Sequence, residues 1–274
     1  MQARKLKLNV KYKYITAIIL VIVGVFLILG IMQTKYVFYT QQAAEQWQGD
    51  SDMDFTQVTV LIPEVSNYTQ SNVMSFRQEI IKSLAKVSIE ADEKSGYFYD
   101  CWSGNGSKTI YSDKGKAEVA VTPVGGDFFF FHPMKLLSGD YFRPDDFMHD
   151  RILIDEGTAW LLYGGVQIVD MPVYINDATF YIAGVIERET DKYSKDAYKS
   201  GNGIYVPFEA YYNVINSSPS DSSSSGESTD SAAKNTVNLP ITCYEIVLAN
   251  PVKGFAANAV QENVKVDGKV VVTN

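Results

Sequence analysis

The chain is poor in the side chains on which nucleophilic catalysis and metal binding most often depend. Its 274 residues include only two cysteines, Cys101 and Cys243, and two histidines, His132 and His149. It also lacks a P-loop, because such a loop needs Gly-Lys-Ser/Thr and residues 104–109 place a serine between the glycine and the lysine. No nucleotide site therefore follows from the sequence, which predicts a turn at residues 104–109.

The few reactive groups offer two candidate sites. Cys101 with His132 could act as a thiol nucleophile and its base, but Cys101 lies in an aromatic strand pattern, which favours a packed or disulfide-bonded cysteine. Residues 145–150 gather three carboxylates and His149, a set that could hold a cation, although a solvated loop is favoured. A disulfide between Cys101 and Cys243 and two buried free thiols fit the sequence equally well. We assign no catalytic, cofactor-binding or metal-binding residue.

Charge is distributed unevenly along the chain. The first fourteen residues carry five basic and no acidic side chains, a charge of +5, and the remainder has 19 basic and 32 acidic residues, a charge of −13. An acidic region of this kind disfavours nucleic acid as a partner, because phosphate binding requires basic patches. The five basic residues are Arg4, Lys5, Lys7, Lys11 and Lys13.

One stretch is long and apolar enough to predict a membrane span. Residues 15–34 contain no charged side chain, and about 20 residues at roughly 1.5 Å each cover about 30 Å, the thickness of a bilayer's hydrocarbon core. We predict a cytoplasmic basic tail at residues 1–14 and a single transmembrane helix at 15–34, because basic residues favour the cytoplasmic side. The rest would be extracytoplasmic, at a cell membrane. A cleaved signal peptide is the alternative, but its apolar run would be shorter.

Period-two and helical patterns predict the elements beyond this stretch. Helices are predicted at residues 73–87, 158–163 and 251–260, the last with Pro251 in its first turn. Strands are predicted at 58–62, 97–102, 117–122, 151–154, 173–175, 180–186, 204–207, 242–248 and 269–273.

These elements predict an α+β fold in two subdomains. Residues 35–54 are polar and predict a short stalk. The strand and helix pattern at the start recurs at the end, so residues 55–123 and 237–274 predict one β-α, porter-like subdomain. A mostly β subdomain, residues 124–212, is inserted between them. Residues 213–236 are rich in serine and predict a disordered linker, because they cannot bury enough apolar surface to offset the entropy of ordering.

The middle of the chain carries an ordered succession of short motifs. They are Val124-Gly-Gly-Asp-Phe128, Met134-Lys-Leu-Leu-Ser-Gly-Asp-Tyr-Phe142, Ile152-Leu-Ile-Asp-Glu156, Phe180-Tyr-Ile-Ala-Gly-Val-Ile186 and Ile204-Tyr-Val-Pro207. This succession resembles the extracytoplasmic core domain of MacB-type ABC transporter permeases, which also follow a cytoplasmic N-terminus and one transmembrane helix. The resemblance covers nearly the whole chain and is tightest over residues 124–207.

The resemblance implies a permease that does not itself hydrolyse ATP and needs no cofactor. An ABC ATPase subunit would hydrolyse ATP inside the cell, two permeases would pair as a homodimer or heterodimer in the lipid bilayer, and the external domain would transmit the motion outward. Members of the family often export peptides, drugs or lipoproteins, so these are the expected substrate classes.

The chain departs from the family pattern in three respects. Asp140 stands where Arg is common, residues 169–172 lack the usual glycine, and the family's three further transmembrane helices are not seen, so we expect either a truncated chain or a split subunit. The alternative function is a membrane-anchored ligand-binding or sensor module without transport. A surface enzyme with a Cys or Asp/His site is a third and weaker interpretation.

Overall fold

The structure is a computed structural model, and its contacts divide the chain into two units, Met1–Gln42 and Ala43–Asn274. It describes residues 2–35, 43–48, 53–90, 96–143, 145–176, 178–188, 202–216, 239–266 and 269–273.

Within its described residues, the first unit contains one helix, α1 (Gln2–Lys35). Large apolar side chains between residues 14 and 29 are exposed, among them Leu20, Phe26 and Leu27. Judged by length and mean hydropathy, none of the helices within the described residues qualifies as a membrane span. The transmembrane helix predicted at residues 15–34 is therefore not confirmed.

The second unit is an α+β structure, as predicted. Its helices are α2 (Ala43–Gln48), α3 (Gln70–Lys86), α4 (Phe128–Phe131), α5 (Glu156–Tyr163), α6 (Phe208–Asn216) and α7 (Phe255–Asn263), with a 3-10 turn at Glu64–Ser66. Its strands are β1 (Phe55–Leu61), β2 (Tyr99–Gly104), β3 (Gly106–Tyr111), β4 (Lys116–Gly126), β5 (Leu136–Gly139), β6 (Arg151–Asp155), β7 (Pro172–Ile175), β8 (Ala178–Ile186), β9 (Gly203–Pro207), β10 (Ile241–Ala249) and β11 (Lys269–Thr273).

The strands form one hydrogen-bonded sheet with two parts. In the first part the order is β11-β1-β10-β2, and all of these pairs are antiparallel. Strand β2 then pairs with the end of β4, which leads into the second part in the order β4-β3-β7-β8-β6-β9. Because β9 also pairs in parallel with β4, these six strands close into a ring. Strand β5 pairs with β8 outside that path.

Helix α3 covers one face of the first part of the sheet. Its buried residues Val73, Phe76, Ile80 and Leu84 follow the predicted helical stripe, and burial of each large apolar side chain contributes roughly 1.5–3 kcal/mol. The helix begins at a capping box, in which the Asn72 side chain accepts hydrogen bonds from the backbone N–H and hydroxyl of Thr69. Val58 and Val60 of β1 belong to the same core cluster, as their alternation predicts.

Helices α2 and α4 contribute to a second apolar cluster on the opposite face. Ala43 and Ala44 of α2 pack there with Val247 of β10 and with Phe128 and Phe131 of α4. The sequence did not predict α2, because residues 43–48 lie in the polar segment interpreted as a stalk. This part of the sheet is therefore covered on both faces.

Two predicted boundaries differ from the structure. The last helix begins at Phe255, with Gly254 at its N-cap in a left-handed conformation (φ 89°), so the prediction that Pro251 lies in its first turn is wrong. The predicted linker, residues 213–236, begins too early, because residues 213–216 form the end of α6. The rest of the linker lies outside the described residues. The proposed division between residues 123 and 124 falls within β4 and stays a prediction.

Candidate functional site

Strand β10 lies inside the sheet, so its alternating side chains enter two different environments. Tyr244, Ile246 and Leu248 belong to the core that includes the buried faces of α3 and α7. Val247 belongs to the cluster with α2 and α4, and Glu245 points to the same face by alternation. Glu245 is only 6 % exposed. A carboxyl group buried on an apolar face must be satisfied by specific partners, because its desolvation is otherwise costly.

Both oxygens of the Glu245 carboxyl group have partners. Its Oε1 accepts hydrogen bonds from Gln57 Nε2 at 3.2 Å and Thr59 Oγ1 at 2.9 Å. Its Oε2 contacts His132 Nε2 and accepts a hydrogen bond from Cys101 Sγ at 3.8 Å. Burial alone would raise the pKa of Glu245, but the hydrogen bond and charge of His132, aided by Thr59 and Gln57, lower it below its ordinary value. The side chain is therefore a carboxylate at neutral pH.

Three segments that are distant in sequence bring this group together. Cys101 of β2 pairs directly with Glu245 of β10 in the ladder, and His132 immediately follows α4. The imidazole ring of His132 lies against the Phe128 ring, with 4.5 Å between centroids. One ligand atom from each of Cys101, His132 and Glu245 lies within 4.8 Å of the others. We refer to these three residues as the Cys–His–Glu cluster.

The thiol of this cluster is unsuited to nucleophilic attack. Cys101 is 1 % exposed, and burial, followed by the negative charge of Glu245, raises its pKa well above the ordinary value. Burial and Glu245 likewise raise the pKa of Cys243 to about 12. A reactive cysteine needs a lowered pKa and access to substrate. Both cysteines are free thiols, and no disulfide bond joins Cys101 to Cys243.

A second polar group lies on the α3 face of the same strands. Arg77 of α3 donates two hydrogen bonds to the carboxylate of Asp100, from Nε at 2.7 Å and Nη2 at 2.6 Å. The hydroxyl of Tyr244 donates to the same carboxylate at 2.6 Å. The guanidinium carbon of Arg77 lies 5.1 Å from the centroid of the Trp102 ring, a cation–π arrangement. We refer to Arg77, Asp100 and Tyr244 as the Arg–Asp–Tyr network.

A cleft of about 230 Å³ lies beside this network, with Trp102, Phe128, Phe142 and Phe208 on its apolar wall and Arg77, Arg143, His149 and Glu209 among its polar residues. Trp102 is 6 % exposed, and its indole N–H has no hydrogen-bond partner among the described residues. A Cβ at Gly125 would lie closer than 3.0 Å to atoms of the Trp102 ring, so glycine is required there for the indole to pack. The cleft thus combines aromatic surface with cationic groups.

The acidic loop considered as a cation site does not form one. Asp146 Oδ2 accepts a hydrogen bond from the Arg143 backbone N–H at 3.0 Å, and His149 Nε2 lies 3.8 Å from the Glu209 carboxylate. In the part of the chain that the structure describes, only the Cys–His–Glu cluster has three such groups at a spacing that suits a metal ion.

A family model described as the MacB-like periplasmic core domain matches residues 14–264. The chain belongs to this family. The resemblance seen in the order of motifs is therefore confirmed. No curated protein sequence matches the chain.

Three solved structures are similar to this member of the MacB-like family. The periplasmic region of MacB from Actinobacillus actinomycetemcomitans shares 14 % identity with a TM-score of 0.48, and the alignment covers 85 % of this chain and 94 % of that one. The extracellular domain of the noncanonic ABC-type transporter YknZ from Gram-positive bacteria shares 13 % with a TM-score of 0.45, covering 81 % and 100 %. A domain of a putative permease protein from Porphyromonas gingivalis shares 12 % with a TM-score of 0.40, covering 80 % and 89 %.

The MacB-like sequence revealed only part of the Cys–His–Glu cluster. The sequence offers Cys101 and His132 as a pair, but nothing near them in the sequence would orient the imidazole. Glu245, 113 residues after His132, provides that contact. The available signal was a glutamate within the otherwise apolar alternation of residues 242–248, which is unusual for a strand in the middle of a sheet.

Proposed function

We propose that this chain is the permease-type membrane component of an ABC exporter, and that its extracytoplasmic domain couples ATP-driven motion to export. The observation that carries this proposal is the family match over residues 14–264, which includes most of α1 and nearly all of the second unit. Peptides, drugs or lipoproteins are the substrate classes that the family suggests.

In this proposal α1 anchors the chain in the membrane, with the N-terminus in the cytoplasm. The uncharged stretch at residues 15–34 and the basic residues before it support this orientation. The exposed apolar side chains of α1 support it as well, because lipid would cover a surface that water does not favour. Protease added to intact cells should digest the external domain and spare a tag at the N-terminus. Loss of that tag under the same treatment would reverse the orientation.

The proposed mechanism is mechanical and depends on the stiffness of the external domain. Residues 55–123 and 237–274 would form one subdomain and residues 124–212 the other. Strand β4 hydrogen-bonds to β2 at one end and to β3 and β9 along the rest. A displacement of the first part of the sheet would therefore be passed to the ring through backbone hydrogen bonds, which support transmission better than a flexible linker does.

The partners in this proposal are a separate ATP-hydrolysing subunit and a second permease, paired as a homodimer or heterodimer. A single helix cannot enclose a transport pathway, so further helices must come from other polypeptides or from more of this one. Tagged full-length protein, extracted gently from its native membrane, should co-purify with ATPase activity. An unrelated single-pass protein with the same tag is the control. Failure to recover an ATPase, even after cross-linking in the membrane, would contradict the proposal.

The cleft beside Trp102 favours a second candidate, a membrane-anchored ligand-binding or sensor module. Its aromatic wall and the guanidinium group of Arg143 suit an apolar ligand with a negative charge. The dye anilinonaphthalene sulfonate has this chemistry and serves as a probe. The sensor interpretation expects saturable binding that Arg143→Ala weakens about tenfold. Binding that is unaffected by Arg143→Ala and by Trp102→Phe would count against it.

A further inference from the structure

We propose that Cys101, His132 and Glu245 bind a divalent metal ion of the zinc class. The three residues offer a thiol, an imidazole and a carboxylate, the three side-chain types that zinc binds in proteins. Their ligand atoms lie within 4.8 Å of one another although the residues come from three separate segments. This proposal does not depend on the proposed transport function.

One of the spacings between the ligand atoms matches that of a zinc site. Zinc bonds of about 2.0–2.3 Å in a tetrahedral arrangement place neighbouring ligand atoms about 3.3–3.8 Å apart. The Cys101 Sγ to Glu245 Oε2 distance is 3.8 Å. His132 Nε2 contacts Glu245 Oε2 directly, so a small rotation of the imidazole would open the space for an ion between them.

Charge and proton balance are also consistent with a divalent ion. On binding, Cys101 would release its thiol proton to solvent, and His132 would bind through a neutral ring nitrogen. The thiolate and the Glu245 carboxylate would together carry two negative charges, which one divalent cation neutralises. No oxidant or reductant is needed, because zinc does not change its oxidation state.

Residues around the cluster hold the ligands in place. Thr59 and Gln57 on β1 donate hydrogen bonds to Oε1 of Glu245, which leaves Oε2 facing Cys101 and His132. The Phe128 ring packs against the imidazole. Such supporting contacts orient metal ligands and are typical of metal sites. The strand positions of Cys101 and Glu245 further restrict their movement.

The position of the cluster allows entry and a fourth ligand. The His132 side chain is 24 % exposed, whereas that of Glu245 is 7 % exposed, so the imidazole marks the side open to solvent. Water or a small anion could complete the coordination from that side. Cys243 lies two residues before Glu245 and therefore on the same face of β10, but it does not belong to the group of three at metal-ligand spacing. It is therefore a matched control.

The test uses the full-length protein in detergent, reduced with a phosphine, stripped with a chelator and dialysed. Cobalt(II) is added as a spectroscopic probe, and zinc is then titrated in competition with a chromophoric chelator. We expect one zinc per chain, a near-ultraviolet thiolate-to-cobalt absorption band, and a rise in melting temperature with zinc, because a ligand that binds only the folded state stabilises it.

The variants distinguish specific zinc binding at the cluster from non-specific metal binding. Cys101→Ala should abolish the cobalt band and weaken zinc binding at least tenfold, and His132→Asn should weaken zinc binding similarly, whereas Cys243→Ser should preserve both. If Glu245→Gln fails to fold, Cys101→Ala decides the question, because it removes one small side chain from a packed site. Zinc binding that is absent from the parent protein, or equal in Cys101→Ala and Cys243→Ser, would show that the cluster is only a buried ion pair with a neighbouring thiol.

Discussion

The two faces of the pair formed by β2 and β10 hold polar groups of different chemistry. On the α3 face, Asp100 accepts two hydrogen bonds from Arg77 and one from Tyr244. Its partners are a permanent cation and a phenol. On the opposite face, the carboxylate of Glu245 meets an imidazole and a thiol.

This difference separates a structural group from a candidate binding group. Arginine and tyrosine donate hydrogen bonds but are poor metal ligands, so the Arg–Asp–Tyr network is complete as it stands. Thiol and imidazole are the ligands that transition metals prefer. We therefore expect the Arg–Asp–Tyr network to contribute the same free energy of unfolding with and without metal. The contribution of the Cys–His–Glu cluster should depend on metal.

The largest expected effect is the loss of the Arg–Asp–Tyr network. Arg77→Ala leaves the carboxylate of Asp100 buried without its cation, and breaking a buried pair in this way costs about 3–5 kcal/mol in the free energy of unfolding. Chemical denaturation of the detergent-solubilised protein, with and without zinc, measures it. The exposed pair of Lys82 and Glu79 on the same helix is the control, and Lys82→Ala should leave the midpoint unchanged. Equal effects of the two variants would contradict this account.

A smaller effect is expected where Trp102 packs on Gly125. Gly125→Ala places a methyl group against the indole ring. Such overpacking should lower the free energy of unfolding by about 1–3 kcal/mol. The tryptophan fluorescence should change as well, because the indole must move. Gly165→Ala is the control, since no atom lies within 4 Å of a Cβ built there. An unchanged stability for Gly125→Ala would mean that Trp102 is not held as described.

The second face is tested by removing a hydrogen bond to Glu245. Thr59→Val deletes the donor to Oε1 and should cost about 1 kcal/mol in stability. It should also lower zinc affinity about tenfold, because the carboxylate is no longer held in position. Thr109→Val, at an exposed position on β3, should leave zinc affinity unchanged. If both variants bind zinc like the parent protein, the support attributed to Thr59 is absent.

The smallest effect concerns pH. Burial, and then the charge of Asp100, raise the pKa of Asp127 from 3.8 to about 6, while Arg77 opposes the shift. The folded state therefore binds the proton more tightly than the unfolded state, and stability falls as pH rises from about 4 to 6. Since Asp127 is partly exposed, we expect a loss of only about 0.5–1 kcal/mol.

Asp127→Asn isolates this contribution. The variant should gain stability relative to the parent protein between pH 4 and pH 7, as measured by urea denaturation at each pH. Parallel stability curves for the two proteins across that range would contradict the assignment.

The sequence predicted elements well where one periodic pattern carried the information. The stripe of α3 and the alternation of β1 and β10 follow directly from burial of one face of each element. Helix α2 was missed because a six-residue helix that buries only Ala43 and Ala44 leaves no periodic signal. The start of α7 was misplaced because Pro251 favours a first helical turn locally, whereas the chain turns at Gly254 before the helix begins.

Long-range pairing was beyond the reach of such patterns. Nothing local indicates that Cys101 faces Glu245, because their contact depends on the register between β2 and β10, strands separated by more than 130 residues. The parallel pairing of β4 with β9, which closes the ring, is likewise set by packing of the whole sheet. The candidate cluster is built from contacts of this kind, so the sequence points to only two of its members, Cys101 and His132.

The central claim is that the external domain moves with ATP turnover. It is tested most directly by the distance between a spin label at Phe147 of this chain and one at the corresponding position of the paired permease. Phe147 is 93 % exposed and lies outside the helices and strands. The label is attached to Phe147→Cys in a Cys243→Ser background, in the complex isolated from its native membrane. We predict that the distance distribution differs between the ADP state and a vanadate-trapped state. Identical distributions in a complex that hydrolyses ATP would contradict the coupling role.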